Sequence, residues 1–198
     1  MRQYLFGLVQ LPRLAILLLV TLPPVAVGVF AKLNPQHSIA FGPSESDWAL
    51  LPAVGTVPPP FVGTTLSGQP IDLESYRGHF VLLDFWATWC GPCIAEIPDM
   101  KRMYAKYHSQ GFEIIGVACN DKDEESRVRK LVDKEAIPWP QIYDAADGVQ
   151  DLKEAYGLTF YPTMILISPE GRVVSHEARA EELERLLKEA YPAGSESP

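Results

Sequence analysis

His79-Phe80-Val81-Leu82-Leu83-Asp84-Phe85-Trp86-Ala87-Thr88-Trp89-Cys90-Gly91-Pro92-Cys93 joins two different kinds of segment, and the junction decides the fold. Residues 79–86 form a near-continuous apolar run, the mark of a strand buried on both faces. From Pro92 the pattern becomes helical: Ile94, Ile97, Met100, Met103, Tyr104 and Tyr107 recur along one side as far as residue 110, and Gly111 stands in the C-terminal position that favours glycine. Cys90 therefore falls where a buried strand gives way to a helix. The first turn of a helix carries unsatisfied N–H groups and the positive end of the dipole, and both stabilise an anion. A thiolate at Cys90 forms more easily there than in a free cysteine, whose pKa is ~8.5. Such a thiolate attacks a disulfide, and Cys93, one turn on and expected to be buried, resolves the mixed disulfide by attacking Cys90. Gly91 and Pro92 shape a tight link, and Pro92 starts the helix where no N–H is needed.

Outward from this junction, strand-like and helix-like stretches alternate. Residues 61–66 and 70–73 read as a short hairpin turning at Ser67-Gly68, and residues 112–119 as a second buried strand. Residues 123–135 and 149–156 read as helices. Strands at 163–167 and 172–175 are joined by the turn Pro169-Glu170-Gly171, and a last helix spans 180–189. This order predicts an α/β domain with a central mixed sheet flanked by helices on both faces.

The N-terminus reads as a targeting or anchoring segment, residues 1–33. Residues 14–31 hold no charge, and a helix of that length reaches ~27 Å, close to the ~30 Å of a bilayer's hydrocarbon core. Arg2 and Arg13 precede it, so the positive-inside rule puts the N-terminus in the cytoplasm and the domain on the extracytoplasmic, periplasmic side. A retained single-pass transmembrane helix is the expectation, with cleavage near Val29-Phe30-Ala31 and export of a soluble protein as the alternative. Residues 34–57, rich in proline, read as an extended tether, followed by a domain at 58–192 and a tail at 193–198. The chain carries a formal charge of −8, yet residues 1–43 hold Arg2, Arg13 and Lys32 and no acid. The rest is strongly acidic, which disfavours nucleic acid as a partner.

Less reactive roles for the cysteine pair are a zinc half-site, a structural disulfide and an inert remnant in a binding module. Only Cys119 and four histidines remain as further ligands, with no second pair at metal-ligand spacing, so neither a metal nor a cofactor is expected.

The segment from Phe85 to Cys93 resembles the active site of thioredoxins. Its continuation through Glu96-Ile97-Pro98 resembles the membrane-tethered branch typified by TlpA, ResA and the cytochrome c biogenesis thioredoxins. Tyr161-Pro162-Thr163 resembles the family's cis-proline loop, and Arg77-Gly78-His79 and Tyr156-Gly157-Leu158 fit the same pattern. The likeness spans about residues 58–191. It implies a thiol–disulfide oxidoreductase in which Cys90 and Cys93 form the redox-active disulfide. It further implies that Asp84 is a buried proton acceptor for Cys93 and that Glu96 tunes the thiols. The competing role for Asp84 is capping a backbone group, and for Glu96 a surface charge. Substrate would meet Trp89, Gly91 and Pro92 beside the thiols and Tyr161 and Pro162 on the cis-proline loop. A peroxiredoxin is disfavoured because that family places threonine three residues before its reactive cysteine, and here the residue is Ala87.

Cys119 ends the second core strand and reads as a small buried hydrophobe. Cytochrome c biogenesis members show an acidic motif just after it, which Asn120-Asp121-Lys122-Asp123 matches in part. Gly91-Pro92 is thioredoxin's own dipeptide, which points to a reductase rather than a strong oxidant. Its partners would be exported proteins with disulfides and a membrane thiol carrier as electron donor. An oxidase or isomerase of the same fold is the alternative.

Overall fold

The computed structural model describes residues 43–146 and 150–192. The expected anchor, the tail and residues 34–42 of the expected tether lie outside them. Among the described residues no helix is long and apolar enough to cross a membrane.

Five strands form the central sheet: β3 (Phe80–Trp86), β4 (Phe112–Ala118), β5 (Gln141–Tyr143), β6 (Thr163–Ile167) and β7 (Val173–Ser175), in the order β5-β4-β3-β6-β7. β3, β4 and β5 run parallel, while β6 and β7 are antiparallel to their neighbours. β1 (Val62–Thr64) and β2 (Pro70–Asp72) make the expected hairpin. The mixed sheet and its flanking helices are those of the thioredoxin fold.

One face of the sheet carries α2 (Gly91–Tyr107) and α5 (Ala180–Ala190). They cover Leu82, Ile114 and Leu166 with Ile97, Met100, Met103, Leu183 and Leu187. Of the apolar positions of α2 read from the sequence, Ile97, Met100, Met103 and Tyr107 are buried, and Ile94 and Tyr104 are partly buried. The helix then tightens into a 3₁₀ turn at His108–Gln110, and Gly111 stops it in the left-handed region at φ 100°. The opposite face buries Leu83, Phe85, Ile115, Val117 and Ile165 beneath Phe61, Ile71, Leu152 and Tyr156. Leu152 begins α4 (Leu152–Ala155), and α3 (Glu125–Lys134) sends Val128 into a third cluster around Trp86.

Two features depart from the sequence reading. β5 is an edge strand of three residues between Pro140 and a turn, too short for a periodic signal. The second departure corrects the boundary expected at Pro58. Residues 43–57 are packed rather than free-standing. Ser44 caps α1 (Glu45–Trp48) in a capping box. Trp48 then meets Phe160 edge-on at 4.8 Å and stacks on His176 at 5.3 Å. Leu51 is 5% exposed and belongs to the core. The backbone continues beside β7, with Gly55 N–H donating to Val173 O and Val173 N–H donating to Thr56 O. Proline withholds donors, but the residues between these prolines carry donors and apolar side chains enough to dock.

Candidate active site

Cys90 is the N-cap of α2, and its Sγ accepts the Cys93 N–H at 3.2 Å. That is the contact expected to stabilise a thiolate once the pair is reduced, since a helix-start donor already points at the sulfur. The two cysteines are joined as a disulfide with Cα atoms 5.3 Å apart. Both are buried, Cys90 5% exposed and Cys93 2%. Cys90 is packed in a cluster with Trp86, Ala87, Ala118 and Tyr143, with Tyr161 against that cluster. Trp89, 63% exposed, stands edge-on to Tyr161 at 5.6 Å. Gly91 and Pro92 are exposed. The Tyr161–Pro162 bond is cis, as the motif implied. The rim of the disulfide thus combines one exposed aromatic, an exposed Gly-Pro turn and the cis-proline loop.

Asp84 lies mid-strand opposite Gly116 on β4 and Met164 on β6. It shares a strand face with Leu82 and Trp86, which pack beneath α2 and α3. The residue is 3% exposed and its Oδ1 has no hydrogen-bond partner. Burial first, and the charge of Glu96 second, push its carboxyl up to about 7. An acid that titrates near neutrality beneath the helix bearing the thiols suits proton exchange. The same shift carries a stability cost. Between about pH 4 and pH 7 the unfolded chain loses this proton while the folded chain keeps it, so stability falls as pH rises through that window. Three pH units correspond to roughly 4 kcal/mol. Asp84→Asn is therefore expected to stabilise the fold at pH 8 and to change little at pH 4. Urea melts at the two pH values check this. Equal effects at both would show that the Asp84 carboxyl titrates alike in the folded and unfolded chain.

Glu96 is not the free surface charge of the competing reading. Its side chain is 17% exposed and Oε1 accepts from Arg179 Nε at 2.7 Å, while the atom Oε2 is buried without a partner.

Two contacts at this site have no local signature in the sequence. Asn120, 7% exposed, accepts the Thr88 N–H at 3.1 Å and donates to Thr88 Oγ1 at 2.7 Å. The end of β4 thereby fixes the turn just before Cys90. Gln141 accepts the Trp86 indole N–H at 2.9 Å, with its amide lying across Gly116. A Cβ on Gly116 would sit 2.2 Å from Gln141 Oε1, so only glycine leaves room for that bond. Asn120 stood within a motif that the sequence offered for another reason.

Cys119 is reduced and half-buried, and burial pushes its thiol up. It packs on the face bearing Val117, whereas Ala118 belongs to the cluster of Cys90 and Cys93. Tyr161 touches Cys119 and also packs against the cluster of the pair, so one side chain links the two surroundings.

The sequence model of the AhpC/TSA family matches residues 54–176. The chain belongs to the AhpC/TSA family. Within it, the chain is 37% identical over 142 residues to the thiol-disulfide oxidoreductase ResA of Bacillus anthracis, covering 70% of this chain and 79% of that one. It is 36% identical over 143 residues to ResA of Geobacillus kaustophilus, covering 71% and 79%. Among solved structures, the thioredoxin domain of a thiol-disulfide oxidoreductase from Bacteroides vulgatus superposes with a TM-score of 0.62 at 29% identity, covering 70% of this chain and 97% of that one. A thiol:disulfide interchange protein from Bacteroides sp. gives the same TM-score and identity, covering 73% and 94%. This AhpC/TSA member is a thiol–disulfide oxidoreductase with the thioredoxin fold, and Cys90–Cys93 is its redox pair.

Proposed function

We propose that the protein is a disulfide reductase acting on exported proteins, tethered by its N-terminal segment with the domain on the extracytoplasmic side. The observation that carries the reductase reading is a cysteine pair at a helix start lying over a buried acid of near-neutral pKa. In the reduced protein, the Cys90 thiolate attacks one sulfur of a substrate disulfide. A mixed disulfide forms, and the other substrate sulfur leaves as a thiolate that takes up a proton. Cys93 then gives its proton to Asp84 and attacks Cys90 Sγ. The second substrate sulfur leaves as a thiolate that takes up a proton, and the Cys90–Cys93 bond forms. Two electrons pass from the dithiol to the substrate, and a membrane thiol carrier of the opposite leaf of the cycle restores the dithiol. Trp89, Gly91, Pro92 and the cis-proline loop at Tyr161-Pro162 form the substrate rim, which suits an extended segment of polypeptide. The reading of a cytochrome c biogenesis role rests on the likeness to ResA together with the partial acidic motif at 120–123.

A redox titration tests the direction. A reductase has a potential nearer thioredoxin's ~−270 mV than the ~−120 mV of a strong oxidant, and it reduces insulin with dithiothreitol as electron source. A potential at the oxidising end, with no insulin reduction, would transfer the protein to the oxidase or isomerase class.

A further inference from the structure

Two carboxylate oxygens near the redox pair are buried without partners, Asp84 Oδ1 on β3 and Glu96 Oε2 on α2. The other oxygen of Glu96 is engaged. Arg179, 83 residues along the chain, donates Nε–H to Oε1 at 2.7 Å, and its Nη2 closes on the same oxygen. Arg179 is the N-cap residue of α5, yet its side chain makes no capping bond to that helix. The guanidinium is 44% exposed and the Glu96 side chain 17%. A cation at the surface thus sits over a carboxylate that reaches inward.

The elements packed around Asp84 carry further charges, many of them paired: on α3 Arg127 with Glu124 and Arg129 with Glu125, and on α2 Lys106 with Glu184. α2 carries Glu96 and Asp99, and Asp99 is paired with Arg102. The segment entering α5 carries His176, Glu177 and Arg179, with Glu177 bridged through its backbone to Met164. β4 and β6 place Gly116 and Met164 opposite Asp84. Of these groups, Glu96 is the one whose charge acts on Asp84.

We propose that Arg179 is a positioning residue for the redox centre: it clamps Glu96 on α2 and offsets part of the negative field that Glu96 lays on Asp84. A like charge near a buried acid disfavours its ionisation, and a countercharge on that neighbour relieves the effect. Without Arg179 the charge of Glu96 acts in full, and Asp84 holds its proton to higher pH. The electrostatic part stands by itself. The catalytic consequence, that Cys93 then resolves mixed disulfides only at higher pH, rests on the proposed role of Asp84 as proton acceptor.

The test is a carboxyl-carbon NMR titration of the full chain, with Asp84→Asn assigning the Asp84 signal. Arg179→Gln is expected to move the Asp84 inflection to higher pH by about 0.5 unit. Arg179→Lys, which keeps the charge, should remain close to the native value. In a Glu96→Gln background, Arg179→Gln should move nothing further. The same variants are then followed by single-turnover release of glutathione from a Cys90 mixed disulfide, whose pH profile should shift in parallel. No shift in Arg179→Gln, a shift toward acid, or an equal shift in the Glu96→Gln background would overturn the proposal. A carboxyl shift as expected, beside release profiles that ignore every variant including Asp84→Asn, would uphold Arg179 and remove Asp84 as the proton acceptor.

Discussion

Cys93→Ala is expected to arrest the protein on its substrate. The first attack belongs to Cys90, whose sulfur already accepts a helix N–H, so the mixed disulfide should still form. What is lost is the internal thiol one turn on, 2% exposed and joined to Cys90 in the oxidised form. Release must then wait for an external thiol. Turnover in an insulin assay should fall by at least roughly two orders of magnitude, while mass spectrometry shows the substrate bonded to Cys90. Captured substrates also name the physiological partners. Cys119 is not expected to substitute, because it packs with the Val117 cluster whereas Cys90 packs with Ala118. If Cys93→Ala released substrate at the native rate, and Cys93→Ala/Cys119→Ala did not, that separation would be wrong.

The second large effect concerns residues 43–57, an N-terminal strap packed against the domain. A chain beginning at Pro58 loses Leu51 from the core and the Trp48 contacts with Phe160 and His176. It also loses the two backbone bonds that cover the outer edge of β7 and the bond from Arg172 Nη1 to Gly55 O. Full burial of one leucine contributes ~1.5–3 kcal/mol, and each hydrogen bond adds about 1 kcal/mol. The loss should reach about 4 kcal/mol, which lowers the melting temperature by roughly 10 °C in a domain of this size. A chain beginning at Pro43 keeps the Ser44 cap and all of these contacts, and should melt as the longer protein does. Differential scanning calorimetry of the two chains decides it, and equal melting temperatures would show that the strap contributes nothing to the fold. Residues 47–50 also reach toward the cis-proline loop, since Thr159 Oγ1 donates to Asp47 Oδ1 at 2.9 Å and Leu50 O lies over Gly157. The shorter chain is therefore expected to lose some activity along with stability.

Much of the sheet was legible because its central strands are buried on both faces. β3 and β4 announce themselves as continuous apolar runs, and α2 as a helical stripe ended by Gly111. β6 matched its expected span, Thr163–Ile167. β5 and the strap did not show, for a common reason. Both lie at sheet edges, where one partner surface is enough and a few residues suffice, so neither repeats often enough to produce a period. The edges also tolerate the prolines that made residues 43–57 look unstructured.

The site divides the same way. The chemistry is legible along the chain: two cysteines at a strand-to-helix junction, a lone acid in an apolar strand, and a proline ahead of a later strand. Each depends on residue type and local spacing, which the chain carries wherever it folds. The electrostatics and the access follow from the folded arrangement. It set the burial of Cys90, the Asn120–Thr88 clamp, the Gln141 amide over Gly116 and the Arg179 countercharge on Glu96. These contacts join residues 25 to 83 positions apart. Pairings at such separations leave no local pattern, because they depend on how the sheet and helices bring distant segments together. The sign of a charge can be read from the chain, but the dielectric and the neighbours that set its effect exist only after folding.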